Sequence, residues 1–105
     1  MIKFVVCLTT LGRKKDAEKI AAHLVKKRLA ACVNIVPGLI SHYRWKGKIC
    51  RDSELLLVMK TVVSKTKALE REIKAVHPYE LPEFVVVSLN GGSRRYLAWI
   101  AENVV

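Results

Sequence analysis

The sequence predicts an α+β fold of the ferredoxin-like class. It is a split β-α-β of order βαββαβ with an antiparallel sheet, a long hairpin between the second and third strands, and an extra C-terminal helix. Three observations carry this. β-rich apolar runs and helix-period stripes follow one another in that order. Lys46-Gly47 separates two strand-like arms of unusual length, as a hairpin tip does. Ser93, after the turn Asn90-Gly91-Gly92, opens a further helical stretch.

Residues 2–9 form a nearly unbroken apolar run, expected as a strand buried on both faces. Gly12 punctuates the following loop. From Asp16 to Leu29 the residues Ala17, Ile20, Ala21, Leu24 and Leu29 fall at helical spacing, with Lys15, Glu18, Lys19, His23, Lys26 and Lys27 opposite. Cys32 to Val36 reads as a strand that Pro37-Gly38 interrupts, because proline cannot donate to a ladder. The strand resumes from Leu39 to Trp45 and returns from Ile49 to Val62. Arms of that length exceed the usual ~5–6 residues and overhang a small domain. Ser64 is placed to cap a helix from Lys65 to Val76, which His77-Pro78 ends. Phe84 to Leu89 is expected as a second doubly buried strand, and the last helix presents Tyr96, Trp99 and Ile100. Both long helices then share one face of the sheet. The other face, carrying Leu55, Leu57 and Met59 or else Leu56 and Val58, has no cover within one chain. An open apolar face and an overhanging hairpin together argue for oligomerisation.

Length sets one domain, residues 1–105, able to bury about two thirds of its surface without staples. No apolar run reaches a membrane span and the N-terminus has no signal-peptide pattern, so no membrane is expected. Cys7, Cys32 and Cys50 are odd in number with no CxxC pair, which points to a reduced cytoplasmic setting rather than a disulfide framework. The net charge is +10, and residues 1–50 hold 11 Lys/Arg against 2 acids. A polyanion partner is the first inference. However, the first and third strands carry one aromatic, Phe4, between them, so bases find almost nothing to stack on. No specific nucleic acid is expected, and the charge favours a small anionic ligand instead.

Few residues form chemical clusters. Leu11-Gly12-Arg13-Lys14 lies between strand and helix, where an acylphosphatase-like hydrolase would hold a phosphoryl group, with Asn34 to position water. The segment has one glycine and no glycine-rich cradle. His77-Pro78-Tyr79-Glu80-Leu81-Pro82 presents an imidazole, a phenol and a carboxylate on a loop stiffened by two prolines. His77 serves there either as a metal ligand or as a structural helix end. No catalytic triad or acid–base carboxylate pair can be argued from spacing.

Four segments read together carry a resemblance. They are Arg28-Leu29-Ala30-Ala31-Cys32-Val33-Asn34-Ile35, Ser41-His42-Tyr43-Arg44-Trp45-Lys46-Gly47-Lys48-Ile49, Glu54 to Thr61, and His77 to Pro82, with Tyr96-Leu97-Ala98-Trp99 following. In this order and spacing the chain resembles the CutA family of divalent-cation tolerance proteins, from about residue 2 to residue 100. The resemblance implies a cytoplasmic homotrimer, similar in architecture to PII-type signalling proteins. It implies a role in divalent metal tolerance, with copper or another divalent cation as a ligand, and no catalysed reaction. A PII-like sensor of small molecules is the alternative. The family's metal constellation, a Cys ending the first strand and two His before Pro-Tyr, falls here on Thr9, Val76 and His77, so His77 alone carries over. The resemblance also places Tyr43, Trp45 and Lys60 near a subunit boundary, where the loop of His77, Tyr79 and Glu80 completes a cleft.

Overall fold

The first strand alternates rather than burying both faces. In the computed structural model, which describes residues 1–105, β1 (Phe4–Leu11) points Val5, Cys7, Thr9 and Leu11 into the core and leaves the residues between them half-buried. The order continues with α1 (Lys14–Lys26), β2 (Cys32–Trp45), β3 (Lys48–Val62), a 3-10 turn (Val63–Lys65), α2 (Thr66–Val76), β4 (Val85–Ser88) and α3 (Arg94–Glu102). The antiparallel sheet runs β2-β3-β1-β4, as the split β-α-β order requires.

Register decides which residues meet the helices. Cys7 faces Met59, Thr9 faces Leu57 and Leu11 faces Leu55. Opposed residues share a face, so Leu55, Leu57 and Met59 join the core beneath Ala17, Ile20 and Leu24 of α1 and Leu69 and Ile73 of α2. Each fully buried leucine there contributes about 1.5–3 kcal/mol. Leu56 and Val58 therefore line the open face. One end of that face is covered after all, because Ile100 and Val104 pack with Val62, Phe4 and Ala31.

Several boundaries differ from expectation, for local reasons. Helix α1 stops at Lys26 because Arg28 adopts φ 59. The Leu29 N–H then donates to the Leu24 carbonyl and the Arg28 N–H to the Val25 carbonyl. This is a Schellman stop built on arginine instead of glycine. Ser64 caps nothing, because the 3-10 turn precedes α2, and the Thr66 hydroxyl donates back to the Val63 carbonyl. Ser93 does cap α3, accepting from the Tyr96 N–H. Strand β4 is not doubly buried. It is a sheet edge on which Val85, Val86 and Val87 are each about 45% exposed.

The helices are also joined by charge. The His23 Nε2–H donates to Glu72 Oε1 at 2.5 Å, and Lys27 Nζ donates to the same oxygen at 3.2 Å. These partners, His23 first, hold the Glu72 carboxyl below its usual 4.5. Folding thus favours the ionised form, so the stabilisation is present above the ordinary carboxylate value and is lost as pH falls through the folded one. In urea melts, Glu72→Gln is expected to be less stable than the native chain at pH 7, and the difference is expected to close as pH falls below 4.5. A constant difference across that window would show that the clamp is not electrostatic. Burial also pushes the Cys7 thiol up to about 11, and the thiolate is the reactive form. Peptide mapping after alkylation at pH 8 should find Cys7 unmodified until the chain is unfolded.

Candidate functional site

The site begins with one extra residue in a strand. Val36 opposes Leu56 and Leu39 opposes Glu54, so Pro37 and Gly38 together face only Leu55. This is a β-bulge, and Gly38 takes φ +82, which glycine adopts without strain. The extra residue reverses the strand's alternation. Before the bulge the even-numbered Asn34 and Val36 share the open face, and after it Leu39, Ser41, Tyr43 and Trp45 do, alongside Glu54 and Asp52. The arms end at Lys46 and Gly47, with φ 49 and 79, the two positive values of a tight hairpin turn. A 14-residue strand extends the molecule to 44 Å in one direction against 26 and 23 Å in the others.

Where the re-aimed hairpin meets the loop after α2, a cleft of about 1000 Å³ opens. Tyr43, Trp45, Asp52, Glu54, Tyr79 and Glu80 line it, together with Glu83, Thr10 and Gly12. Phenols and carboxylates pair across it. The Tyr79 hydroxyl donates to Glu54 Oε2 at 2.6 Å, and the Tyr43 hydroxyl donates to Asp52 Oδ2. The bond to Asp52, with smaller effects of burial and charge, pushes Tyr43 up to about 12. Burial first, and then Glu54, raises Tyr79 as well. Both phenols therefore stay protonated donors at neutral pH. A Cβ at position 12 would stand 3.4 Å from the Tyr79 hydroxyl, at the near edge of ordinary contact.

The cleft's charge is opposite to that of the chain. Asp52, Glu54, Glu80 and Glu83 line it and no Lys or Arg does, although the whole chain carries +10. The expectation of a small anionic ligand came from the total charge, and the local lining opposes it. The sequence places Asp52 and Glu54 within the returning strand Ile49 to Val62 and marks neither for the site. The available signal was a carboxylate directly before the apolar run Leu55 to Met59. Glu54 is only 8% exposed, and so deep a carboxylate needs a donor.

The structure brings Tyr43, Trp45, Tyr79 and Glu80 together, and places His77 and Lys60 elsewhere. His77 is 7% exposed. Its Nε2–H donates to the Thr10 carbonyl at 2.9 Å, and its Nδ1 accepts the Tyr79 N–H at 3.1 Å. Those partners fix the tautomer and occupy both nitrogens, leaving no lone pair for a metal. The ring latches the loop to the end of β1. Thr9 lies on the core face with an unpartnered hydroxyl, while Val76 is part-exposed at the end of α2. No three His, Cys, Asp or Glu side chains are grouped to hold a metal ion. The residues at the Thr9, Val76 and His77 positions therefore do not fit copper. Lys60 lies on the open face beside α3, donating to the Tyr96 hydroxyl at 3.4 Å. Arg13 is exposed ahead of α1 and caps nothing. Asn34 Oδ1 accepts from the Cys32 thiol, so neither residue builds a phosphoryl site.

Comparison with known proteins places this geometry. The family model described as CutA1 divalent ion tolerance protein matches residues 5–103. A divalent-cation tolerance protein CutA from Thermus thermophilus is 49% identical over 98 residues, covering 93% of this chain and 95% of that one. Its solved counterpart superposes with a TM-score of 0.94 at 47% identity, covering 97% and 99% of the two chains. The chloroplastic CutA of Arabidopsis thaliana is 42% identical over 91% of this chain, which spans about half (53%) of that longer protein. A structure described as a PII-like protein CutA, from a Nostoc species, superposes with a TM-score of 0.89 at 36% identity, covering 96% and 97%. The match spans all three helices, the long hairpin and the loop that closes the cleft, and the chain belongs to the CutA1 divalent ion tolerance family.

Proposed function

We propose that the protein is a homotrimeric, non-catalytic binding protein of the divalent-cation response, and that the cleft between hairpin and loop is its ligand site. The carrying observation is that cleft, a concavity of about 1000 Å³ walled by two tyrosines, a tryptophan and carboxylates. Such size and mixed lining suit a small-molecule site. Relatives named for divalent-cation tolerance and one named PII-like support the two halves of the reading, response and sensing. The half-buried strip Val6, Leu8, Leu56 and Val58 and the long hairpin, in a molecule 44 Å along its longest axis, support assembly with further copies. Three free cysteines suit a cytoplasmic location. The two hydroxyls that pair with carboxylates at the cleft are phenols, and both titrate well above neutrality. The reading as a hydrolase would need Arg13 and Asn34 in one phosphoryl pocket, and their surroundings do not support it.

Light scattering behind a sizing column is expected to give three times the chain mass of 11.9 kDa. A stable monomer at micromolar concentration would refute the assembly. Removing the latch, as in His77→Ala, leaves the Thr10 carbonyl and the Tyr79 N–H without their partner. It is expected to lower stability by about 1–3 kcal/mol. In native mass spectrometry with added Cu²⁺ or Zn²⁺, that variant should retain whatever metal the native chain takes up. Loss of stoichiometric copper in a still-folded variant would restore His77 as a ligand.

A further inference from the structure

At the hairpin tip a cation of the protein's own stands beside two residues of the cleft wall, Trp45 and Glu80. Lys46 Nζ stands 5.6 Å from the centroid of the Trp45 ring, within the ~6 Å over which a ring face attracts a cation. The same ammonium lies 3.9 Å from Glu80 Oε2. Aromatic face and carboxylate thus already form a seat for an alkylammonium. The occupant is held loosely, since the Lys46 and Glu80 side chains are 72% and 71% exposed and exposed pairs contribute little. Deeper in, Asp52 and Glu54 each accept one phenol. Each keeps a second oxygen able to accept an N–H.

We propose that the cleft binds a small organic cation bearing ammonium or guanidinium groups, and that Lys46 is a built-in competitor that the ligand displaces from Trp45 and Glu80. This rests on the reading of the cleft as the ligand site and names its ligand class. Three features select that class. A bare metal ion needs convergent ligands, and no three such side chains are grouped. A cleft of about 1000 Å³ fits a molecule rather than an ion. Anions meet four carboxylates in the lining. A diamine or an amino-guanidine would place one group on Trp45 and Glu80 and another against Asp52 and Glu54. Attraction of such a cation to a chain of +10 cannot arise from total charge, so binding would report the cleft itself.

Isothermal titration of the full chain with agmatine and 1,4-diaminobutane tests this, with citrate and Cu²⁺ as contrasting probes. The native protein is expected to bind the diamine or the amino-guanidine. Trp45→Ala and Glu80→Gln should each weaken that binding at least tenfold, and Lys46→Met should strengthen it threefold or more. Melting curves and the Trp45→Phe variant, which keeps a weaker ring, separate loss of the seat from loss of fold. If Lys46→Met leaves affinity unchanged or lower, the competitor role is overturned. If only citrate or Cu²⁺ binds, and Trp45→Ala abolishes it, the ligand class is wrong and the cleft reading survives. If no probe responds to Trp45→Ala, the cleft reading falls too.

Discussion

Two residues standing opposite one, at Pro37-Gly38, decide what the rest of the molecule can present. Without that bulge the period-two alternation of β2 would carry Tyr43 and Trp45 to the opposite side of the sheet from Glu54. With it, one strand serves two surfaces. Its first half contributes Val33 and Ile35 to the helix-covered core, and its second half turns odd-numbered aromatics toward the cleft. Proline and glycine are the residues for such a point, since one forgoes a ladder bond and the other accepts positive φ.

Much of the fold was legible because periodicity records it. The order of elements, the bulge position, the Lys46-Gly47 tip and the Ser93 cap all follow from residue types whose backbone needs are narrow. Helix ends were less legible, because the stop after α1 uses an arginine in a left-handed conformation that propensity disfavours. The exposure of Val85 to Val87 could not be read either. A run of valines looks the same in a central strand and at an edge. In the cleft, sequence spacing supplied the loop cluster, and the family resemblance supplied the hairpin aromatics. It could not show that the His77 nitrogens turn inward to Thr10 and Tyr79, because that depends on where β1 ends relative to α2.

The charge illustrates a difference of scale. A total of +10 governs what approaches from a distance, yet at physiological salt its influence fades over about 8 Å. Within the cleft the near carboxylates dominate. Most of the excess positive charge lies on and around the helices, including Arg13, Lys14, Lys15, Lys19, Lys26 and Lys67, all exposed. The molecule is therefore electrically two-sided, basic over its helix layer and acidic where the hairpin meets the loop.

The bare valine edge carries its own consequence for the life of the polypeptide. Val85-Val86-Val87 offers a short uncharged strand with one side unpaired, the pattern from which cross-β aggregation starts. Pro82 and Glu83 stand before it, one residue (Phe84) away, where a rigid ring and a charge act as gatekeepers against templated growth. A newly made chain thus passes through a window in which that edge is guarded by only two residues. Its solubility during synthesis then depends on how quickly other surface comes to cover it.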